Sequence, residues 1–304
     1  VKAYLDIVKN VLDNGKWKSN RTGIRTLALP NLHFSHDMSD GFPLLTTKKM
    51  AFRSMCVELE GFLRGITSKS WYRSNNCKFW DFWANPLEVR RKLEYGSYGY
   101  TAQQLKDENF DHIKDAQLKE DSLGAFYAHQ LRRFGEALDE HDDAPLMGSD
   151  QLRRIVHLLH TNPNDRRMVV SYWNPNQLHN TALPSCHYTW CLTHIDGVLN
   201  LHWTQRSVDT CLGLPINIAH YGLLLLLLCK EANLQPGNLS GTLCDCHIYE
   251  NHIPGAKEQL KRTPGELPQI ELNNWSNIFN WTHKDVKLTN YNPCPKINFG
   301  EIAV

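Results

Sequence analysis

The sequence predicts an α+β protein in which helices flank a large mixed β-sheet. Three observations carry this expectation. Helical and strand patterns are interspersed along the 304 residues, rather than gathered in separate halves or strictly alternating. Residues 187–205 alternate in strand fashion around Asp196-Gly197, which reads as a two-residue hairpin turn. The longest apolar run, Gly222 to Cys229, holds six consecutive leucines, is too short to span a bilayer, and is followed by Lys230-Glu231. It reads as a buried helix.

A chain of 304 residues can bury a substantial core. Charged residues make up 21% and the formal net charge is +1, which argues against a polybasic nucleic-acid surface. Nine cysteines without framework spacing read as reduced thiols, hence as a cytoplasmic protein. The first residues already form an amphipathic helix pattern, so no signal peptide is expected there.

Taken in order, residues 3–13 carry Tyr4, Ile7, Val8, Val11 and Leu12 on one helical stripe. Arg21 follows in a loop with Gly and hydroxyl neighbours, suited to a phosphate or simply to solvent. Residues 51–64 read as the next helix, with Glu58, Glu60 and Gly61 inside it. Residues 85–122 are rich in Lys, Glu, Asp and Gln and read as a surface insertion. A helix over 150–160 leads to the adjacent pair Arg166-Arg167 and a strand from Met168 to Tyr172. After the hairpin and the leucine-rich helix, residues from Pro254 onward read as strands and loops.

Chemistry is expected at Ala182-Leu183-Pro184-Ser185-Cys186-His187. A thiol at a strand entrance is either an inert buried residue or an exposed nucleophile. The returning strand of the hairpin ends in Gln205-Arg206-Ser207-Val208-Asp209. Arg206 would thus face the thiol, and a guanidinium nearby favours the thiolate. In the hairpin, Tyr188, Trp190 and Leu192 are expected on one face and His187, Thr189 and Cys191 on the other. Cys244, Cys246 and His247 do not complete a tetrahedral set, so no metal is expected.

These stretches, with Gly41 to Lys49, Trp80-Asp81-Phe82-Trp83, Leu123 to Tyr127, Gly213 to Ala219 and Asp245 to Tyr249, together resemble the thymidylate synthase family over most of the chain. The resemblance implies one catalytic domain over 1–304 with that family's fold, and a homodimer whose sheets pack back to back. It implies one-carbon transfer from 5,10-methylenetetrahydrofolate to C5 of dUMP, with Cys186 as the nucleophile at C6. Glu58, Tyr127, Arg206, Asp209 and Asn217 would complete the catalytic set. Arg21, Arg206, Ser207, Asn217, His247 and Tyr249 would bind the nucleotide, together with Arg166 and Arg167 reaching over from the partner subunit. Lys48, Glu58, Trp80, Trp83, Asp209 and the terminal Val304 would line the folate. Asn217 is open to an N-cap role as well; as a base contact its amide suits uracil over cytosine.

Two departures from the family pattern bear on the product. Glu60 and Gly61 replace an apolar residue and a tryptophan, and Leu243-Cys244 replaces two glycines. An added carboxylate beside a missing indole would admit and orient water. The expectation is therefore a dUMP hydroxymethylase making 5-hydroxymethyl-dUMP, with Glu60 in the catalytic set, of a kind expected in viruses that modify their DNA and active in the host cytoplasm. The alternatives are a divergent thymidylate synthase making dTMP and dihydrofolate, and a non-catalytic nucleotide- or RNA-binding relative.

Overall fold

Among the described residues nine strands are formed: β1 (Lys16–Lys18), β2 (Thr26–Asp37), β3 (Val169–Ser171), β4 (His187–Ile195), β5 (Val198–Gln205), β6 (Val208–Asp209), β7 (Gln235–Tyr249), β8 (Gln269–Leu272) and β9 (Val286–Thr289). The first seven make one mixed sheet in the order β1-β2-β7-β5-β4-β3, with β6 also on β7. β7 runs antiparallel to β2 and parallel to β5 and β6. The last two form a separate antiparallel pair. This computed structural model describes residues 1–20, 22–81, 119–138 and 147–300. Arg21, Trp83, Val304 and all of the expected insertion but residues 119–122 lie outside the described residues.

The helices are α1 (Lys2–Asn14), α2 (Phe52–Arg64), α3 (Lys69–Ser74), α4 (Tyr127–Arg133), α5 (Gln151–Thr161), α6 (Gly213–Ala232) and α7 (Ile253–Leu260). α1 buries Tyr4, Ile7, Val8 and Val11, the stripe expected from the sequence. α2 stops at Gly65, whose φ of 71° lets its N–H reach back to the carbonyls of Gly61 and Phe62. α6 is long and apolar enough to cross a membrane, yet 72% of its apolar window is buried inside the protein, so it is a core helix. α7 stands where loop was expected. Its Pro254 occupies the first turn, where a missing N–H costs nothing.

The hairpin forms as expected, Ile195 pairing with Val198 across Asp196-Gly197. Its alternation is broken in one place. A bulge between His187 and Thr189 shifts the register. His187 is therefore buried with Trp190 and Leu192, not placed on the face of Thr189 and Cys191. The helices cover one face of the sheet. The other carries His33, Ser35, Asn200, His202, Thr204 and Thr242, none of them buried.

Candidate active site

Cys186 sits immediately before β4, and the antiparallel pairing fixes what lies beside it. The Arg206 N–H donates to the Cys186 carbonyl (2.8 Å), and the Arg206 guanidinium donates to the carbonyls of Ser185 (3.0 Å) and Pro184 (2.7 Å). The Cys186 N–H donates to the Tyr127 hydroxyl (2.7 Å). Tyr127 begins α4 and lies between two parallel rings, Phe62 (5.1 Å) and His187 (4.2 Å). Burial pushes the Tyr127 phenol well above its ordinary range, which keeps it a neutral donor and acceptor. Burial likewise pushes His187 down, with a smaller contribution from His220, and its Nδ1 meets the Tyr221 hydroxyl at 2.8 Å.

Glu58 comes to this cluster from α2. It is 8% exposed, its Oε1 accepts from the Trp80 indole N–H (2.9 Å), and its Oε2 lies 3.4 Å from Nδ1 of His220 on α6. Asn217, in the second turn of α6, does not cap the helix. Its Oδ1 accepts from the Gln205 amide (3.1 Å), which also donates to the Ser207 carbonyl (3.0 Å). Gln205 therefore sets which way the Asn217 amide faces. Asp209 brackets the entry to α6, its Oδ1 accepting from the N–H groups of Cys211 and Leu212, both at 3.0 Å. His247 pairs in register with Asp209 and packs edge-on against Tyr249 (5.3 Å). Asp245 is held down to about 2, chiefly by its hydrogen bond to His247 and then by Lys18.

One end of the sheet thus collects a thiol, an arginine, a buried carboxylate and an oriented amide. A family model described as thymidylate synthase matches residues 2–304. The chain is 36% identical over 304 residues to the thymidylate synthase of Mycoplasma pneumoniae, covering all of both chains. It is 35% identical over 310 residues to that of Listeria monocytogenes serotype 4b, covering 98% of each. The chain belongs to the thymidylate synthase family. Members of the thymidylate synthase family are one-carbon transferases that bind dUMP and use methylenetetrahydrofolate as co-substrate.

Against that family frame, Glu60 stands apart. It is 2% exposed and turned away from Glu58. Its Oε1 meets Arg64 at 2.7 Å, and its Oε2 accepts from the backbone N–H of His283 (2.8 Å) and lies 2.6 Å from the ring Nδ1. Its carboxylate thus bridges α2 and the turn at His283. Gly61 has a packing cause too. A Cβ there would lie 2.2 Å from the Tyr72 hydroxyl, so Tyr72 fills the space that a missing indole was expected to open. Arg166 and Arg167 are exposed beside β3, with Arg167 3.6 Å from Asp165. Met168 pairs beside Leu192, six residues along β4 from Cys186, which puts the backbone of these arginines roughly 20 Å from that of Cys186.

The described residues on the expected folate side are Lys48, Glu58, Trp80 and Asp209. Trp80 is fixed by Glu58, and the second carboxylate oxygen of Asp209 has no hydrogen-bond partner among the described residues. An aromatic wall and an open acceptor fit a pterin ring. No group of three or more His, Cys, Asp or Glu is placed to hold a metal among the described residues.

Sequence reasoning missed His220 and Gln205. His220 was masked by the leucine-rich run it precedes, and Gln205 passed as a strand residue.

Lys48 carries a pH signature. Its ammonium donates to the Cys211 carbonyl and lies 4.5 Å from the Phe299 ring centre. Burial lowers its pKa from 10.5 to about 8, against smaller raising effects from Cys211 and Asp209. Below about 8 the group is charged in the folded and unfolded chain alike, and burying that charge costs stability. Between about 8 and 10.5 the folded protein has released the proton while the unfolded chain keeps it, so the cost fades as pH rises. Relative to Lys48→Met, the wild type is expected to gain on the order of 3 kcal/mol across that window. Urea unfolding at the two ends of the window measures it, and a constant difference refutes it.

Proposed function

We propose that this protein methylates dUMP reductively, making dTMP and dihydrofolate. The observation that carries the choice of product is the placement of Glu60 and Gly61. The carboxylate is taken up by Arg64 and His283, and the space beside Gly61 is filled by Tyr72. Glu60 and Gly61 are accounted for by packing, which removes their support for a water site; of the Leu243-Cys244 departure, Leu243 is buried in the core. Similarity over the full chain to proteins named thymidylate synthase supports the same choice.

In this reading the Cys186 sulfur bonds to C6 of uracil, and the C5–C6 electron pair moves onto the C4 carbonyl oxygen. Asn217, aimed by Gln205, holds the uracil edge and steadies that developing charge. Tyr127 fixes the Cys186 backbone, and Glu58 manages proton transfers at the ring. Arg206 and Arg21 bind the phosphate, while His247 and Tyr249 take the deoxyribose hydroxyl. The folate supplies the one-carbon unit and the hydride. The uncovered sheet face, and arginines too far from their own thiol, support a homodimer in which Arg166 and Arg167 of the partner subunit complete the phosphate site.

Incubation with dUMP and methylenetetrahydrofolate is expected to give a nucleotide carrying a methyl group, with dihydrofolate in equal amount. A product heavier by one oxygen, with tetrahydrofolate, overturns the proposal in favour of hydroxymethylation.

A further inference from the structure

His220 is 3% exposed, and its Nδ1 is buried without a hydrogen bond. That nitrogen lies 3.4 Å from Glu58 Oε2, close enough for an ion pair but not aligned for a hydrogen bond. An orphaned ring nitrogen in a dry site carries a desolvation cost that only a partner offsets. Beside it stands an acceptor, the carboxylate oxygen that Trp80 leaves unused, since Trp80 donates to Oε1. A small tilt of the ring converts the contact into a hydrogen bond.

The groups around His220 decide what such a bond could do. Phe62 packs on the ring at 5.2 Å and excludes water from that side. The titratable groups facing it are Glu58 from α2, His187 from β4 (6.2 Å, tilted) and its own neighbour Tyr221. His187 is held neutral by burial and already engaged with Tyr221. A proton arriving between Glu58 and the helix therefore has two homes, the carboxylate and the His220 ring.

We propose that His220 is a positioning residue for Glu58, holding Oε2 and sharing its proton during turnover. The role rests on the proposed reaction at dUMP. It gives Glu58 a fixed direction and a second base against which to exchange its proton.

The test compares wild type, His220→Leu and His220→Asn for kcat, for dUMP dissociation, and for the pH profile of kcat between about pH 5 and 9. His220→Leu is expected to lose about 10- to 100-fold in kcat while dUMP dissociation changes by less than about threefold. His220→Asn keeps an N–H where Nδ1 stood. It is expected to recover most of the rate, yet with the acidic limb of the profile displaced by more than about half a pH unit. A leucine variant within about twofold of wild type with an unchanged profile overturns the role, as does parallel loss of kcat and dUMP binding. Should the leucine variant fail to fold, an asparagine profile superimposable on wild type overturns it alone. Wild-type protein that binds dUMP but transfers no carbon overturns the proposed reaction itself, and this role with it.

Discussion

Cys186→Ala is expected to reduce product formation by on the order of 10⁴-fold or more, with dUMP still bound. The reason is the division of labour around the hairpin. In the proposed reaction nucleotide recognition falls to Arg206, Asn217, His247 and Tyr249, none of which needs the sulfur. Activation of C5 is assigned to the sulfur alone, because uracil does not become nucleophilic there without addition at C6. Five of the other eight thiols are buried and kept protonated by desolvation. Cys77, Cys229 and Cys246 are buried and pushed up to about 12, chiefly by desolvation. Cys56 and Cys211 are buried and shifted in the same direction. Steady-state rates and calorimetric binding of dUMP check the expectation. Retention of even a hundredth of the activity would remove Cys186 from the chemistry.

Glu60→Ala is expected to act on stability and leave the product alone. Its carboxylate is buried and makes three polar contacts, to Arg64, the His283 backbone and the His283 ring. Truncation strands the two His283 donors in a site where His283 is only 7% exposed. Removing one member of a buried pair costs about 3 kcal/mol or more, which corresponds to a melting midpoint lower by roughly 6 °C. The ratio of methylated to hydroxymethylated nucleotide should not move. An unchanged midpoint together with a changed product would mean that Glu60 works at the pyrimidine after all.

The contrast between these two residues shows what the sequence made legible. Cys186, Arg206 and the Asp196-Gly197 turn lie within one hairpin, and local pairing rules place them correctly. Helical geometry also says that Glu60 turns away from Glu58. It does not say what receives it, because His283 is 223 residues distant. Gly61 carried the same ambiguity: a missing side chain reads as a gap until Tyr72 is seen filling it. The bulge at His187 was invisible to a period of two, since one added residue inverts every later assignment. His220 was hidden by composition, because a helix buried on nearly all sides has no polar stripe from which to single out a working residue.

The partnership of β2 with β7 has a consequence for biogenesis. Phe34 pairs with Gly241, and Thr26 with Tyr249, so the edge of β2 that faces β7 has no partner until more than two hundred further residues exist, although β1 can pair with Thr26 to Ala28 at once. At roughly 5–20 residues per second, a nascent chain carries this twelve-residue strand open along its β7-facing edge for on the order of 10–40 s. The β4–β5 hairpin can close as soon as it leaves the ribosome, whereas β2 must wait for the last long strand. During that interval the exposed edge of β2, with Phe34 and Leu32 uncovered, is the segment a chaperone would find first.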